Sequence, residues 1–426
     1  MLRFLALAAA SLAIHAGLSA SARAEVTIAI SCSSLGIEQQ LCQSGSEAWA
    51  NATGNKVKLV ATPADANERL ALYQTLLAAK SQDIDVFQID VIWPAILAPH
   101  LVDLSAALSE QDRADQFKVL IANDTVGGKL VAIPWFVDAG LLYYREDLLK
   151  KYGKEVPKTW SELADTAKAI QAAEAKAGNS VLQGYVWQGR AYEGLTCNAL
   201  EWIASFGGGS IVGQDGAVTI DNPQAAKALE TAKSWIGTIS PAGVLSYGEE
   251  ESRGVFQSGN AVFMRNWPYA WALANAADSP VKGKVGVAVL PQGEGTGARH
   301  AAALGGQHLA VSRYSAHPKE AADLVRYLTS AQEQKRRALE GSFNPTLRSL
   351  YTDQELVAAN PFYRDFLPIA DSAIARPSTV TGRRYNQVSS AFVRTVHGTL
   401  SGQGAASASL VDLNKELERL GRNGHW

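Results

Sequence analysis

The sequence predicts an α/β fold that contains more than one domain. Near the N-terminus, apolar stretches alternate between strand and helix patterns, which is typical of a parallel α/β sheet. The chain has 426 residues, whereas single hydrophobic cores stop growing near roughly 250 to 300 residues. Its residues are 47% apolar and 19% charged with a net charge of -2, so a globular protein is expected and nucleic-acid binding is not.

The first 24 residues are expected to form a cleaved signal peptide. Arg3 supplies a short positive region, residues 4–18 are apolar, and residues 21–24 have the small-residue pattern of a cleavage site. The alternative is a retained transmembrane helix, but the apolar run is short and lacks suitable flanks. The sequence therefore predicts a soluble mature protein in the periplasm.

Export makes the cysteines informative. Cys32 and Cys42 are close in sequence and are predicted to form a disulfide in an oxidising compartment. Cys197 is expected to be a buried free thiol. A catalytic Cys197 is the alternative, although no Cys/His signature lies nearby.

The N-terminal pattern alternates strand, helix, strand, helix and strand. The predicted segments are Glu25–Ser31, Ile37 to Gly54, Val57–Val60, Asn67–Lys80 and Asp85–Ile89. In such sheets, ligands bind beside the carboxyl ends of the strands.

Polar residues follow each of these strands. Glu38 follows the first, Asp65 or Arg69 the second, and Asp90 the third. Trp93 lies in the same loop as Asp90. A carboxylate next to an indole ring suits a sugar, which offers hydroxyl groups to the one and a C–H face to the other.

A central stretch contains an unusual acid. Leu130–Ile133 is predicted to be a strand that Pro134 breaks. Asp138 then falls within the apolar run Phe136 to Tyr144. Because charged side chains are rarely buried without a partner, we expect Asp138 to face a cleft. An Asp that caps a turn is the alternative.

The remaining pattern continues to mix strands and helices. Strands are predicted at Tyr143–Arg145, Leu182–Trp187, Lys284–Leu290 and Ala303–Val311, and helices at Glu146–Gly153, Trp160–Ala177 (with Thr159 and Glu162 as a capping box), Thr196–Phe206, from Pro223 onward, and Pro318–Leu328.

Another stretch, rich in aromatic residues, surrounds Pro268, which suits the first position of a helix. Trp267 would then lie at the helix entrance, and we interpret it as a cleft residue. For Trp271, one turn later, core and cleft positions remain equally open.

Three motifs together resemble one family. They are Ile89–Pro94, Pro134–Arg145 and Phe263–Tyr269, and the chain resembles the sugar-binding receptors of bacterial ABC importers, within them the trehalose/maltose-binding branch. The resemblance implies a two-lobed, maltose-binding-protein-like (type II) periplasmic binding fold with a ligand cleft between lobes that close about a hinge. It also implies a monomer, docking to membrane permease subunits, and no cofactor, metal or catalytic residue.

The resemblance also implies how the chain is divided. Residues 25–137 with about 304–342 would form the N-terminal lobe, and residues 138–303 with about 343–426 the C-terminal lobe.

Sugar contacts follow from the same resemblance. They are expected from Glu38, Arg69, Asp90, Asp138, Trp267, Tyr269, Gly306 and either Arg376 or Arg384, with Trp93, Phe136, Gly305 and Gln307 completing the set. Two positions depart from the branch: Gln307 stands where a Trp is frequent, and Phe136 where a Tyr is common. The sequence therefore predicts a disaccharide site but not which disaccharide.

Two other functions compete with this interpretation. An exported glycoside hydrolase would use paired carboxylates as acid and nucleophile. A receptor for another solute, such as a polyamine or an anion, would use the same cleft differently, since acids flanked by aromatic rings also suit a cation. A binding protein without enzymatic activity is the function we expect.

Overall fold

The computed structural model describes residues 25–360, 362–422 and 424–426. The predicted signal peptide, residues 1–24, lies outside the described residues. None of the helices in the described ranges combines the length and hydropathy that a bilayer span requires.

The strands form two main sheets and one short hairpin. They are β1 (Thr27–Ser33), β2 (Lys56–Thr62), β3 (Val86–Asp90), β4 (Thr125–Val126), β5 (Lys129–Leu130), β6 (Ile133–Ala139), β7 (Leu141–Arg145), β8 (Gln183–Val186), β9 (Ala261–Asn266), β10 (Val285–Val289) and β11 (Leu304–Val311).

Helices cover both sheets. They are α1 (Glu38–Thr53), α2 (Ala66–Ala78), α3 (Pro94–Leu97), α4 (Glu110–Asp115), α5 (Lys118–Asp124), α6 (Glu146–Lys151), α7 (Trp160–Lys176), α8 (Glu193–Ser205), α9 (Pro223–Trp235), α10 (Glu249–Gln257), α11 (Ala270–Ala274), α12 (Pro318–Leu328), α13 (Ala331–Gly341), α14 (Gln354–Ala359), α15 (Tyr363–Ser372), α16 (Ser378–Thr381), α17 (Tyr385–Leu400) and α18 (Ala406–Leu420).

The first sheet has the order β2-β1-β3-β11-β6. Strand β1 pairs in parallel with β2 and β3, which confirms the parallel start that the N-terminal pattern predicts. Strand β11 enters between β3 and β6 and is antiparallel to both. A strand from late in the chain therefore lies inside the N-terminal sheet.

The second sheet has the order β10-β7-β9-β8. The chain crosses into it directly after β6, through Gly140. A side chain at Gly140 would collide with the carboxylate of Glu201, so only glycine fits this crossing. The two sheets with their helices form the two lobes, and the division of the chain at 137/138, 303/304 and 342/343 stays a prediction.

The prediction that Pro134 ends a strand is wrong. Pro134 lies within β6, opposite His308 of β11. Strand β6 is at the edge of its sheet, where a residue without an N–H group is tolerated, and the pairing shifts register beside it, between Gln307 and His308.

The core of the second lobe is rich in tryptophan. The rings of Trp160 and Trp235 lie 5.3 Å apart, and Trp202 packs edge-on against both Trp235, at 5.7 Å, and Trp187, at 4.9 Å. Such contacts add to the stability that burial of these large rings provides. This core holds α8 beneath the second sheet.

Helix starts agree with the sequence where a cap is present. The capping box of Thr159 and Glu162 precedes α7 as predicted. Helix α8 instead begins at Glu193, three residues before the predicted Thr196, and its N-cap residue Tyr192 makes no side-chain cap. The sequence carries no start signal there, which matters because Glu193 belongs to the site described below.

The predicted disulfide is present, joining Cys32 at the end of β1 to Cys42 in α1, and Cys197 is a buried free cysteine. Replacing both Cys32 and Cys42 by Ser is expected to lower the free energy of unfolding by about 3 kcal/mol, from the entropy of closing so short a loop. Chemical denaturation measures this loss. Wild-type protein held in reductant is the matched control, and unchanged stability in both samples would contradict the expectation.

Candidate ligand-binding site between the two sheets

A cavity lies where the carboxyl ends of the first sheet face the second lobe. Ligands of open α/β sheets bind at this position, outside the carboxyl ends of the strands. The lining of the cavity comes from both lobes: Leu35, Glu38, Ala64, Ala66, Arg69, Asp90, Phe136, Asp138, Tyr192, Glu193, Gly194, Cys197, Glu249, Trp267, Tyr269, Gly305, Gly306, Gln307 and Arg376.

Most of the predicted binding residues line this cavity. They are Glu38, Arg69, Asp90, Phe136, Asp138, Trp267, Tyr269, Gly305, Gly306, Gln307 and Arg376. They come from distant parts of the chain, and the pairing of β11 with β3 and β6 brings them together.

Two predicted residues lie elsewhere. Trp93 is 1% exposed and buried in the core, edge-on to Tyr73 at 5.9 Å and with the guanidinium of Arg69 5.4 Å from its ring. Arg384 donates a hydrogen bond to the carbonyl of Leu420. Of the two C-terminal arginines, the structure therefore places Arg376 at the cavity.

Asp138 is the most unusual group in the site. Its side chain is buried, and its Oδ1 has no hydrogen-bond partner among the described residues. Burial, with repulsion from Glu38, raises the pKa of this carboxyl well above its usual range, although Arg265 and Arg337 oppose the shift. A buried acceptor of this kind is costly unless something donates to it.

Glu38 is a second buried acid in the cavity lining. It lies in the first turn of α1, where the helix dipole favours a negative charge. Gln88 donates to its Oε2 at 2.7 Å. Burial nevertheless raises the pKa of Glu38, and Arg69 opposes the shift.

Asp90, Arg376 and Glu193 form a buried network across the two lobes. Arg376 donates to Asp90 Oδ1 at 3.0 Å and to Glu193 Oε1 at 2.9 Å. Glu193 also accepts hydrogen bonds from Tyr385 and Ser389. The network satisfies most of these charged atoms internally, so it acts first as a rigid wall of the cavity.

Trp267 provides an aromatic wall. The guanidinium of Arg265 lies 3.8 Å from the centroid of its ring, and its indole nitrogen donates to Glu249 at 3.3 Å. A Cβ added to Gly305 would approach the ring to 2.9 Å, so a glycine at this position leaves the space that the indole occupies. Trp271 is partly buried against the core instead.

Gln307 occupies the position where the related branch often has a tryptophan. Its side-chain amide accepts from Arg69 at 3.5 Å and donates to Asp90 at 3.4 Å, so it connects these two charged residues of the cavity lining. Tyr269 is also committed internally, because its hydroxyl donates to Glu250 at 2.7 Å.

Sequence reasoning missed several lining residues. Tyr192 and Glu193 precede and open α8 without a side-chain cap, and Glu249 belongs to an acidic first turn of α10. Ala64 and Ala66 flank Asp65, which caps α2. The three successive acids at 249–251 were a usable signal for a helix start near the cleft.

Contacts between the lobes close one edge of the cavity. Arg190 pairs with Asp65 at 2.9 Å, and the backbone N–H of Glu193 donates to Asn67 Oδ1 at 3.2 Å. These contacts join the start of α2 to the segment before α8. The structure therefore shows the two lobes in contact around the cavity.

Comparisons with known proteins agree with this architecture. A probable ABC transporter-binding protein of Deinococcus radiodurans is 52% identical over 414 residues, covering 97% of this chain and 98% of that protein. Among solved structures, T. maritima MalE3 with bound maltose is 40% identical with a TM-score of 0.88, covering 93% of this chain and 100% of that chain.

A third protein supports the fold alone. The GacH receptor of Streptomyces glaucescens, solved unliganded and with acarbose, is 24% identical with a TM-score of 0.80, covering 93% of this chain and 99% of that chain. These likenesses confirm the two-lobed, maltose-binding-protein-like fold. The family described as bacterial extracellular solute-binding protein matches residues 39–335, and this chain belongs to that family.

Proposed function

We propose that this protein is the exported receptor of an ABC importer and captures a disaccharide of the trehalose or maltose type. The sugar would occupy the cavity between the lobes and leave it chemically unchanged for a membrane permease. The maltose bound to T. maritima MalE3 supports a sugar of this size. Family membership supports the receptor function over a glycoside hydrolase.

One observation carries the proposal: Asp138, whose buried Oδ1 has no hydrogen-bond partner among the described residues, lines the same cavity as Trp267. A sugar hydroxyl would donate to this oxygen while a C–H face of the ring packs on the indole. Glu38 also lines the cavity, and its Oε2 accepts a hydrogen bond from Gln88. A second sugar hydroxyl would donate to this carboxylate.

The charges favour a ligand without negative charge. Five acids line the cavity, namely Glu38, Asp90, Asp138, Glu193 and Glu249, against two arginines, Arg69 and Arg376. An anionic ligand would meet this excess of acids at close range. A cation would be favoured by charge alone, so polyamines belong in the test.

Binding to a panel of solutes tests the proposal. Melting temperature is measured with trehalose, maltose, mannitol, spermidine and an amino acid, because a ligand that binds only the folded state raises it. We expect a rise with trehalose or maltose, calorimetric binding of the same sugar, and recovery of intact disaccharide by chromatography. A response to spermidine alone would refute sugar binding, and release of glucose would indicate a hydrolase.

Replacing Trp267 by Ala is expected to weaken sugar binding by about 1 kcal/mol or more, which is the scale of aromatic contacts. Titration calorimetry against maltose and trehalose measures this change. Trp271→Ala is the matched control, since Trp271 follows on the same segment but packs on the core. It should reduce thermal stability without changing affinity, and equal affinity losses in both variants would contradict the assignment.

A further inference from the structure

Arg337 is a buried cation whose side chain makes no hydrogen bond to the described residues. It lies in α13 and is 1% exposed. Its Nε, Nη1 and Nη2 atoms make no hydrogen bond within the described part of the chain. Arginine is rarely buried in this way, because five N–H groups then lose water without replacement.

Aromatic rings surround the guanidinium instead. Its central carbon lies 3.5 Å from the centroid of Trp135, 4.7 Å from that of Phe343 and 5.0 Å from that of Phe136. The faces of such rings attract a cation, more strongly in a site without water. The rings therefore hold the charge in place without neutralising it.

This cation lies just behind the wall of the cavity. Phe136 connects the two, since the guanidinium of Arg337 lies over its ring and the same residue lines the cavity. Asp138 follows two residues later in β6, so its side chain leaves the strand on the same face as Phe136. The cation and the buried acids are thus neighbours across one aromatic layer.

Other charged groups also surround Asp138. Glu38 and Asp90 face it with the same sign. Arg265 is bound to Glu201 at 2.5 Å, and Arg69, which faces Glu38, contacts Pro63 and Gln307. The phenols of Tyr143, Tyr351 and Tyr363 also lie within electrostatic reach of Asp138.

The charged groups around Arg337 leave its positive charge without an ion pair among the residues that the structure describes. Glu333 and Arg336 of its own helix influence it, as do Glu38 and Asp138, but Glu333 and Arg336 pair with each other at 2.9 Å. Burial lowers the pKa of Arg337 to about 9, which leaves it charged at neutral pH. Its positive charge opposes the rise that burial causes in the pKa of Glu38 and of Asp138.

We infer that Arg337 is a positioning residue for the ligand site: a cation held behind the aromatic wall that favours the ionised, hydroxyl-accepting forms of Asp138 and Glu38 without touching the ligand. A low local dielectric makes this long-range effect stronger than it would be in water. The aromatic layer keeps the cation from forming a direct ion pair, which would occupy the oxygen that Asp138 presents to the cavity.

The sign of the effect on stability follows from the raised pKa of Asp138. An acid whose pKa is higher in the folded state stabilises the fold below its unfolded pKa, and this contribution is lost as the pH rises through the folded pKa. Removing Arg337 should raise the folded pKa further. The loss should then extend to higher pH.

The first experiment needs no ligand. The free energy of unfolding is measured against pH for the wild type and Asp138→Asn, and the difference gives the midpoint of Asp138. In an Arg337→Met background, this midpoint is expected to rise by roughly one pH unit or more, the size of a close charge effect. Arg337→Lys should restore it, and Arg337→Gln is the second neutral variant should the Met variant not fold.

The second experiment rests on the proposed sugar binding. Maltose or trehalose affinity should weaken in Arg337→Met by about tenfold for each pH unit below the new midpoint and recover at higher pH, while Arg337→Lys follows the wild type. An identical midpoint and pH profile in the Met variant would overturn the role of Arg337. Absence of sugar binding in the wild type would refute the proposed function and leave the ligand-free result standing.

Discussion

Replacement of Glu201 by Ala is expected to lower the free energy of unfolding by roughly 3 to 5 kcal/mol, the usual cost of leaving a buried charge without its partner. Glu201 and Arg265 are both fully buried. They form two parallel hydrogen bonds of 2.9 and 2.5 Å. Burial lowers the pKa of Arg265, but Glu201 more than reverses this and the net shift is upward.

The pair also supports the cavity wall. Glu201 accepts the backbone N–H of Ala303 at 3.1 Å, just before β11, and Arg265 lies against the ring of Trp267. We therefore expect Glu201→Ala to reduce sugar affinity as well as stability. Chemical denaturation and calorimetry measure the two effects.

Glu416→Ala is the matched control. Glu416 pairs with Arg394 at 2.7 Å, but both side chains are largely exposed, at 41% and 63%. Exposed pairs contribute about 1 kcal/mol or less. Equal losses of unfolding free energy in the two variants would contradict a large contribution from the buried Glu201 pair.

Replacement of Asp138 by Ala is expected to weaken disaccharide binding by about 2 kcal/mol or more, roughly thirtyfold, because a charge-assisted hydrogen bond in a desolvated site is strong. The unliganded protein should not lose stability. Burial raises the pKa of the Asp138 carboxyl, and its Oδ1 has no hydrogen-bond partner among the described residues, so the fold bears a desolvation cost that the Ala variant does not. Calorimetry and ligand-free denaturation together test this combination.

Asp90→Ala provides the contrast. Its carboxylate accepts from Arg376, from Gln307 and from the backbone of Ile92. This replacement should therefore reduce both stability and affinity. If Asp138→Ala instead behaved like Asp90→Ala, the Asp138 carboxylate would be part of the supporting framework and not a free acceptor.

Much of the fold follows from local patterns in the sequence. Alternating strands and helices indicate the parallel part of the first sheet, and Thr159 with Glu162 marks the start of α7 because a capping box is a purely local device. The insertion of β11 between β3 and β6 is not local. It depends on pairing between segments far apart in the chain, and the family resemblance supplied the expectation that residues 304–342 return to the N-terminal lobe.

The site residues also divide into those that local sequence patterns predict and those that depend on tertiary packing. Asp138 can be predicted as a site residue because a charged residue inside an apolar run is rarely buried without a partner. Trp93 and Trp267 both precede a proline near the end of a strand. Tyr73 and Arg69 pack against Trp93 in the core, whereas Gly305 leaves room for the ring of Trp267 at the cavity. Such tertiary packing is absent from any single motif.

The position of β11 has a consequence for how the protein acquires its fold. Gln307 and Asp90 lie opposite each other on neighbouring strands although 217 residues separate them. When ribosomes have made the first half of the chain, β3 and β6 still lack the strand that joins them. The first lobe therefore cannot mature before the second is synthesised, and long-range pairing of this kind slows folding.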